Sequence, residues 1–309
     1  MVLGKMQHLP QKNGQKNYRK DKDMGRIGII GGSGLYNVEG IKNVKKISVT
    51  TPFGRPSDRF VTGKLGGKEV VFLPRHGVGH RISPSAINYR ANIYAMKKLG
   101  VERIISVTAC GSLKEEIKPL DFVVVDQFVD RTNQARIMTF FDEGIVAHIM
   151  FARPVCEHLS SVLYQAGKSL QLTMHKQGTY LNMEGPAFST LAESNLYRSW
   201  GMDVIGMTNM PEAKLAREAE ICYATLACVT DYDCWHPQHE SVTIDMVIQN
   251  LQKNVENAKS ILTQVLKNIP QEKKCGCQNA LQYAIITDKK LIPAKVKKDL
   301  GIIIGKYIK

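Results

Sequence analysis

Short apolar runs rich in Val and Ile recur along the chain at 26–31, 69–74, 103–109, 122–129, 203–208 and 221–230. Their length and β-branched content predict strands buried on both faces. Between several of them, at 84–98, 155–167, 189–200 and 241–266, apolar residues return at helical spacing. This alternation predicts an α/β fold with a largely buried sheet. No repeat, low-complexity block or Pro/Gly-rich linker interrupts 26–268, which reads as one domain. Residues 1–25 read as a basic tail. Residues 269–309 read as an extension, with a connector over 270–280 and helices over 278–286 and about 293–307. Pro293 suits a helix N-terminus.

Composition changes this picture little. Apolar content is 43% and charged content 23%, ordinary for a globular chain. No run approaches the ~18 apolar residues of a membrane span. The first 25 residues lack the apolar core of a secretory signal, so the cytoplasm is the expected compartment. The net charge of +14 would suit a nucleic-acid binder, but +5 of it lies in residues 1–26 and +6 in 269–309. The central domain carries the remaining +3, so solvated basic ends explain the charge and no nucleic-acid or membrane partner is expected. Most of the seven cysteines lie in apolar strands, as small buried hydrophobes do. Cys275-Gly276-Cys277 is close-spaced, without a second pair or a nearby His in sequence to complete a zinc site, so no metal site is expected. A disulfide and two free thiols are both open readings there.

Candidate chemistry sits just beyond the predicted strands. Gly31-Gly32-Ser33-Gly34 can gather backbone N–H groups and a hydroxyl around an anion, or make a plain tight turn. The G-x-G-x-x-G spacing of a dinucleotide site is absent, since Asn37 stands at the last position. Arg75-His76-Gly77 follows the second run and adds a cation and an imidazole. Thr108-Ala109 and Met207-Thr208 end two others. Ligands gather outside the carboxyl ends of strands in open α/β sheets. Ser33, Arg75, His76, Thr108 and Thr208 would therefore meet only if their strands are neighbours, and together they offer what a dianion needs. Thr230-Asp231-Tyr232-Asp233 places two acids at i and i+2 at a strand's end, either solvated or facing the polar edge of a base. Phe188 either lies in the core or stacks on a base, and the stripe from Ile244 to Leu251 is read first as core packing.

Eight blocks carry a wider resemblance: GIIGGSGL at 28–35, TPFGRPSD at 51–58, RHGVGHRISP at 75–84, TACGSLKEEIKPLD at 108–121, DQFVDRT at 126–132, EGPAFSTLAES at 184–194, GMTNMPEAKLARE at 206–218 and TDYDCW at 230–235. In this order and spacing they resemble the 5′-methylthioadenosine phosphorylase branch of the trimeric purine nucleoside phosphorylases, over about Arg26 to Leu266. The resemblance implies a single α/β domain with a central mixed, twisted sheet flanked by helices, followed by a helical C-terminal extension. It implies a homo-oligomer, a trimer or dimer of trimers. It implies phosphate binding by Ser33, Arg75, His76, Thr108, the Ala109 backbone and Thr208. Met207 would lie under the ribose, with Phe188 and Tyr232 also contacting substrate. Asp231 and Asp233 would face adenine as the catalytic acids, and Ser189, Ile244 and a neighbour's His148 would set specificity.

The reaction so implied is phosphorolysis of 5′-methylthioadenosine to adenine and 5-methylthioribose 1-phosphate, a step in purine and methionine salvage. It uses inorganic phosphate as co-substrate and no metal or organic cofactor. Relatives acting on 6-oxopurines tend to carry Asn where this chain has Asp231; a protonated carboxyl can donate to N7 and an ionised one can accept from the amino group. An aliphatic side chain at 244 would prefer a methylthio group to a hydroxyl left without a partner. There are departures: Ser33 stands where some members have Thr, Gly206 where several have Asn, and Ala187 where Arg is frequent. Three other readings remain: phosphorolysis of other purine nucleosides, such as methylthioinosine, adenosine, inosine or guanosine; hydrolysis of methylthioadenosine; and nucleic-acid binding through the basic ends.

Overall fold

The structure is a computed structural model. It describes residues 25–32, 35, 40–133, 136–237 and 244–308, with 244–247 as helical backbone alone. The expected tail before residue 25, Ser33 and the Ile244 side chain lie outside the described residues.

In chain order the elements are β1 (Arg26–Gly31), β2 (Lys42–Ile47), β3 (Phe60–Leu65), β4 (Lys68–Pro74), α1 (Tyr89–Lys98), β5 (Val101–Ser112), β6 (Phe122–Val125) and β7 (Gln127–Arg131). Then come α2 (Glu157–Ser169), β8 (Met174–His175), β9 (Thr179–Met183), α3 (Leu191–Ser199), β10 (Val204–Gly206), α4 (Asn209–Glu218), β11 (Cys222–Asp231) and α5 (Ile244–Asn268). One mixed sheet of eleven strands holds them together, in the order β2-β3-β4-β1-β5-β10-β9-β7, with β11 beside β5 and leading on to β6 and β8.

The apolar runs form strands for the reason the pattern gives: their alternate residues enter two different cores. Ile27, Ile29, Val70 and Phe72 face α2 and α5. Ile30, Val71 and Leu73 face α1 and α4. Four strands at the centre, β4, β1, β5 and β11, are consecutive neighbours and all parallel. Their carboxyl ends therefore open on one side, and that side is where the candidate residues lie.

Several expectations need correction. The run 122–129 is two strands, β6 and β7, because the chain leaves one partner and joins another at Asp126. β2 escaped notice because its sequence, KNVKKI, is polar and exposed at the sheet edge, where lysines guard against strand pairing. No helix forms over 278–286: only a turn of 3-10 helix at Cys277–Asn279 does, and Ile285 instead bridges to Ala147. The helical extension is two short pieces, α6 (Ala294–Asp299) and α7 (Gly301–Ile304). Cys275 and Cys277 also have a second pair after all. Cys156, ahead of α2, and Cys222, opening β11, join them with all four sulfur atoms within 4.8 Å of one another. All seven cysteines are free thiols.

The extension completes the core. Leu281, Ile292, Leu300, Ile303 and Ile304 are buried in the layer that holds α1 and α4. The Tyr94 hydroxyl donates to the Asp299 carbonyl at 2.7 Å, fastening the segment down. Truncating Ile304 to alanine should therefore cost about 2–5 kcal/mol, as large-to-small core changes do. Urea unfolding checks this; a midpoint equal to wild type would show the extension to be a dispensable lid.

Candidate active site

One cavity of about 340 Å³ opens at the carboxyl ends of the parallel strands. Gly32 follows β1, Arg75 and His76 follow β4, Thr108 to Gly111 close β5, and Thr230, Asp231 and Asp233 lie at the end of β11; all line it. β10 delivers Met207 and Thr208, and the loop before α3 adds Pro186 and Phe188. Neighbouring strands stand ~4.8 Å apart, so β4 and β11, three spacings apart, are separated by roughly 14 Å. That span suits a nucleoside with an anion at one end.

The end of the cavity beside β4 and α4 is built around buried charge. Arg75 is 1% exposed, and its guanidinium is mostly committed to protein partners. Its Nε donates to Glu212, and Nη2 donates to the other Glu212 oxygen at 3.2 Å and to Ser106 Oγ at 2.6 Å. Nη1 donates to the Val107 carbonyl at 3.2 Å. The sequence reading offered this fork whole to an anion; here Glu212 takes its bidentate face and neutralises its charge. Burial and the adjacent Arg75 charge push the His76 imidazole down to about 4, so it is neutral near pH 7. Its Nδ1 lies 2.8 Å from the Ile82 carbonyl and must donate there, which leaves Nε2 as an acceptor.

An uncommitted hydroxyl complements these groups. Thr208 is the N-cap residue of α4, yet its hydroxyl makes no capping bond. It is buried, with no hydrogen-bond partner among the described residues. The positive end of the α4 dipole thus meets the cavity beside a free hydroxyl, an arrangement that favours anions. Thr108 and Ala109 contribute the end of β5.

At the other end, β11 stops at Asp231 and the chain turns through Asp233, whose φ of +52° is left-handed, a region Asp tolerates. The Asp233 amide donates to Asp231 Oδ1 at 2.8 Å, closing the turn on the side chain. Thr230 Oγ1 donates to Asp231 Oδ2 at 2.6 Å. Glycine is required opposite: a Cβ on Gly111 would stand 2.8 Å from Asp231 Oδ1. Burial pushes the Asp231 carboxyl up to about 6, helped by the nearby Asp233 charge and opposed by its two hydrogen bonds. Burial also raises Asp233, against the hydroxyls of Ser194 and Ser189 beside it.

Other expected residues stand elsewhere. Tyr232, between the two acids, points the opposite way, into an apolar cluster with Leu113, Tyr197 and Trp235. Its ring packs there and does not line the cavity, so the expectation that Tyr232 touches substrate is corrected. Ser189 stands behind Asp233 and is not in the cavity wall. His148 lies on an exposed stretch away from its own chain's cavity, its amide bonded to the Ala284 carbonyl. Phe188 is 55% exposed at the rim. Sequence reasoning missed Glu212, and also Arg136, whose buried guanidinium holds the carbonyls of Glu184 and Met207. It missed Leu251, Asn254, Val255 and Ala258 as well, which make α5 a cavity wall over its middle turns. The signal that could have found them is Asn254, a polar residue within the apolar side of α5, which donates to the Val229 carbonyl at 2.8 Å.

The chain is similar to known proteins over most of its length. A family model described as Phosphorylase superfamily matches residues 26–267. The chain is 61% identical to S-methyl-5'-thioadenosine phosphorylase of Geobacter sulfurreducens over 282 residues, 91% of this chain and 99% of that one. A solved methylthioadenosine phosphorylase from an antarctic soil metagenomic library is 48% identical, with a TM-score of 0.85, covering 90% of this chain and 98% of that one. Methylthioadenosine phosphorylase from Schistosoma mansoni, solved in complex with adenine, is 36% identical with a TM-score of 0.77, covering 91% and 98%.

The raised carboxyl has a thermodynamic signature. Asp231 binds its proton more tightly folded, at about 6, than at the ordinary value of 3.8. Its ionised form therefore costs stability above pH 6, and the cost fades as pH falls from about 6 to about 4. Replacing Asp231 by Asn should raise unfolding stability near pH 8 by up to about 3 kcal/mol, with little gain near pH 4. The Thr230 hydroxyl can turn to the Cys110 carbonyl, 3.2 Å away, and so accommodate the amide. Denaturant titrations at both pH values check this; an equal effect at both would mean the carboxyl is ionised freely.

Proposed function

The chain belongs to the phosphorylase superfamily, and we propose that it catalyses phosphorolysis of 5′-methylthioadenosine to adenine and 5-methylthioribose 1-phosphate. The observation that carries this reading is the single cavity walled by both an anion-binding strand end and a buried, elevated carboxyl. Its relatives named for this reaction support it.

The chemistry follows from the two ends. Cleavage of the N9–C1′ bond leaves its electron pair on the purine and positive character on the sugar. The protonated form of Asp231, which burial favours, donates to N7 and so neutralises the leaving base, while Asp233 accepts from the exocyclic amine. On the other side of the sugar a phosphate oxygen forms the new bond to C1′. Thr108, Thr208, the Ala109 backbone and the remaining Arg75 N–H hold that phosphate. His76 Nε2 can only accept, so it receives a hydrogen bond from the hydroxyl of hydrogen phosphate and orients the nucleophile. Phosphate held against the sugar gains effective concentration. Met183, Met207, Leu251 and Val255 give the walls an apolar lining, which suits a methylthio group. No organic cofactor enters.

We extend the reading to a cytoplasmic homotrimer, or a pair of trimers. Ile137, Val146 and the 86% exposed Met150 are apolar residues in the stretch that carries His148, and subunit contact would cover them. In such an assembly His148 reaches a neighbour's cavity. Ser33 and Ile244 keep the phosphate and 5′ roles that the resemblance gives them.

Two measurements test the proposal. Adenine release from methylthioadenosine should require phosphate; equal release without it would make the protein a hydrolase. Replacing His76 by Ala should raise KM for phosphate roughly tenfold or more, the loss of a hydrogen bond to a charged group, and leave KM for the nucleoside nearly unchanged. Equal shifts in both would remove His76 from the anion site.

A further inference from the structure

Far from the cavity, the fold assembles a second site that plays no part in the reaction above. Cys156, Cys222, Cys275 and Cys277 come from three separate stretches of chain, and their sulfur atoms all lie within 4.8 Å of one another. The sulfur atoms of Cys222 and Cys275 stand 3.4 Å apart. Around a tetrahedral zinc with bonds of ~2.3 Å, sulfur atoms stand roughly 3.8 Å apart. The cluster therefore needs only a small adjustment to enclose an ion. Three of the four cysteines are buried and Cys275 is half-buried, giving a dry site with one open edge through which a metal can enter.

We propose that these four cysteines bind a structural zinc ion. Four thiolates are a soft, closed donor set with no position left for water, the pattern of structural zinc. Binding is balanced by release of four protons: one zinc(II) and four thiols give a tetrathiolate complex of charge −2. The surroundings suit that charge. Cys156 is the N-cap residue of the 13-residue α2, so the positive end of a helix dipole falls on its sulfur. Arg103, in register beside Cys222, is buried, and its Nη1 has no hydrogen-bond partner among the described residues. Its Nη2 donates to the Gln271 carbonyl at 3.0 Å, holding the connector just before Cys275.

The placement assigns a job. Cys222 begins β11 and Asp231 ends it, so the metal lies about 30 Å from the acid along ten residues of strand. Zinc there cannot touch substrate. It cross-links the connector after α5 to the starts of α2 and β11, and so fixes where the extension begins its path across the core.

The test uses the full chain, prepared without oxygen and with any affinity tag removed. Elemental analysis should find one zinc per chain. The metal-free protein should take up one cobalt ion, with the sulfur-to-metal charge-transfer bands and d–d bands of a tetrahedral thiolate site. The double substitution Cys275→Ser and Cys277→Ser should lose the zinc and lower the melting temperature, while kcat and KM for methylthioadenosine stay near wild type below melting. A wild-type chain that carries no zinc and takes up no cobalt would overturn the proposal. So would a different resident metal, or a mass showing hydrogens lost to disulfides in the oxygen-free preparation. The cobalt titration needs no variant, so it decides even if the double substitution fails to fold.

Discussion

The buried pairing of Arg75 with Glu212 is the constraint on which the rest of the site depends. Both side chains are almost fully enclosed, and removing either ion from water costs several kcal/mol. Geometry must return that cost, and it does so by recruiting four elements. Arg75 follows β4, Ser106 and the Val107 carbonyl belong to β5, Glu212 to α4, and Tyr223, which donates to Glu212 at 2.9 Å, to β11. Asn209 ties Ser106, Tyr223 and Thr225 together beneath them. A pair this tightly satisfied has only one arrangement, so the end of β4, the middle of β5, the amino end of β11 and the first turns of α4 are fixed against one another. The cavity opens on that fixed floor.

The same parallel strands explain why two different chemistries sit on β11. Its carboxyl end enters the cavity, where burial pushes the Asp231 carboxyl up to about 6. Its amino end reaches the opposite edge of the sheet, where Cys222 meets three other thiols. A carboxyl that is costly to ionise and a cross-link that adds stability thus lie on one rigid strand, buried along all ten residues. Strain at the first end can be carried because the strand cannot move at the second.

Much of this was legible in the sequence. The apolar runs gave β1, β4, β5 and β11 with small errors at their ends, because a strand buried on both faces leaves a continuous signal. The residues beyond those ends were identified for the same reason, and Arg75, His76, Thr108, Thr208, Asp231 and Asp233 do share one cavity. What stayed hidden was pairing at long range. Glu212 stands 137 residues from Arg75, and nothing local marks it as the partner. The thiols of Cys156 and Cys222 looked like small hydrophobes because burial and metal-ligand geometry leave the same local pattern. α4 was passed over because polar residues, Asn209, Glu212 and Glu218, interrupt its buried face and mask the apolar period of Met210, Ala213 and Leu215. The glycine at 206 also acquires a reason only in three dimensions. A Cβ there would stand 1.9 Å from the Tyr180 hydroxyl, so the side chain that several relatives carry is excluded by the tyrosine of this chain.

A neutralised guanidinium and a neutral imidazole leave the anion end with little net positive charge, and that bears on how such a site can work. Bare cations would hold phosphate strongly, but they would also withdraw the electron density it needs as a nucleophile. Here the fixed elements are dipoles: the start of α4, the Thr208 hydroxyl and the end of β5. Dipoles set in a rigid, partly dry cavity orient the anion without quenching it, and they need no rearrangement as charge moves to the sugar. The Arg75–Glu212 pair serves this design by spending its charge internally. Its strength goes into placing the groups that would hold phosphate in the proposed reaction, and the polarity of the site is left to hydrogen bonds whose directions the fold has already chosen.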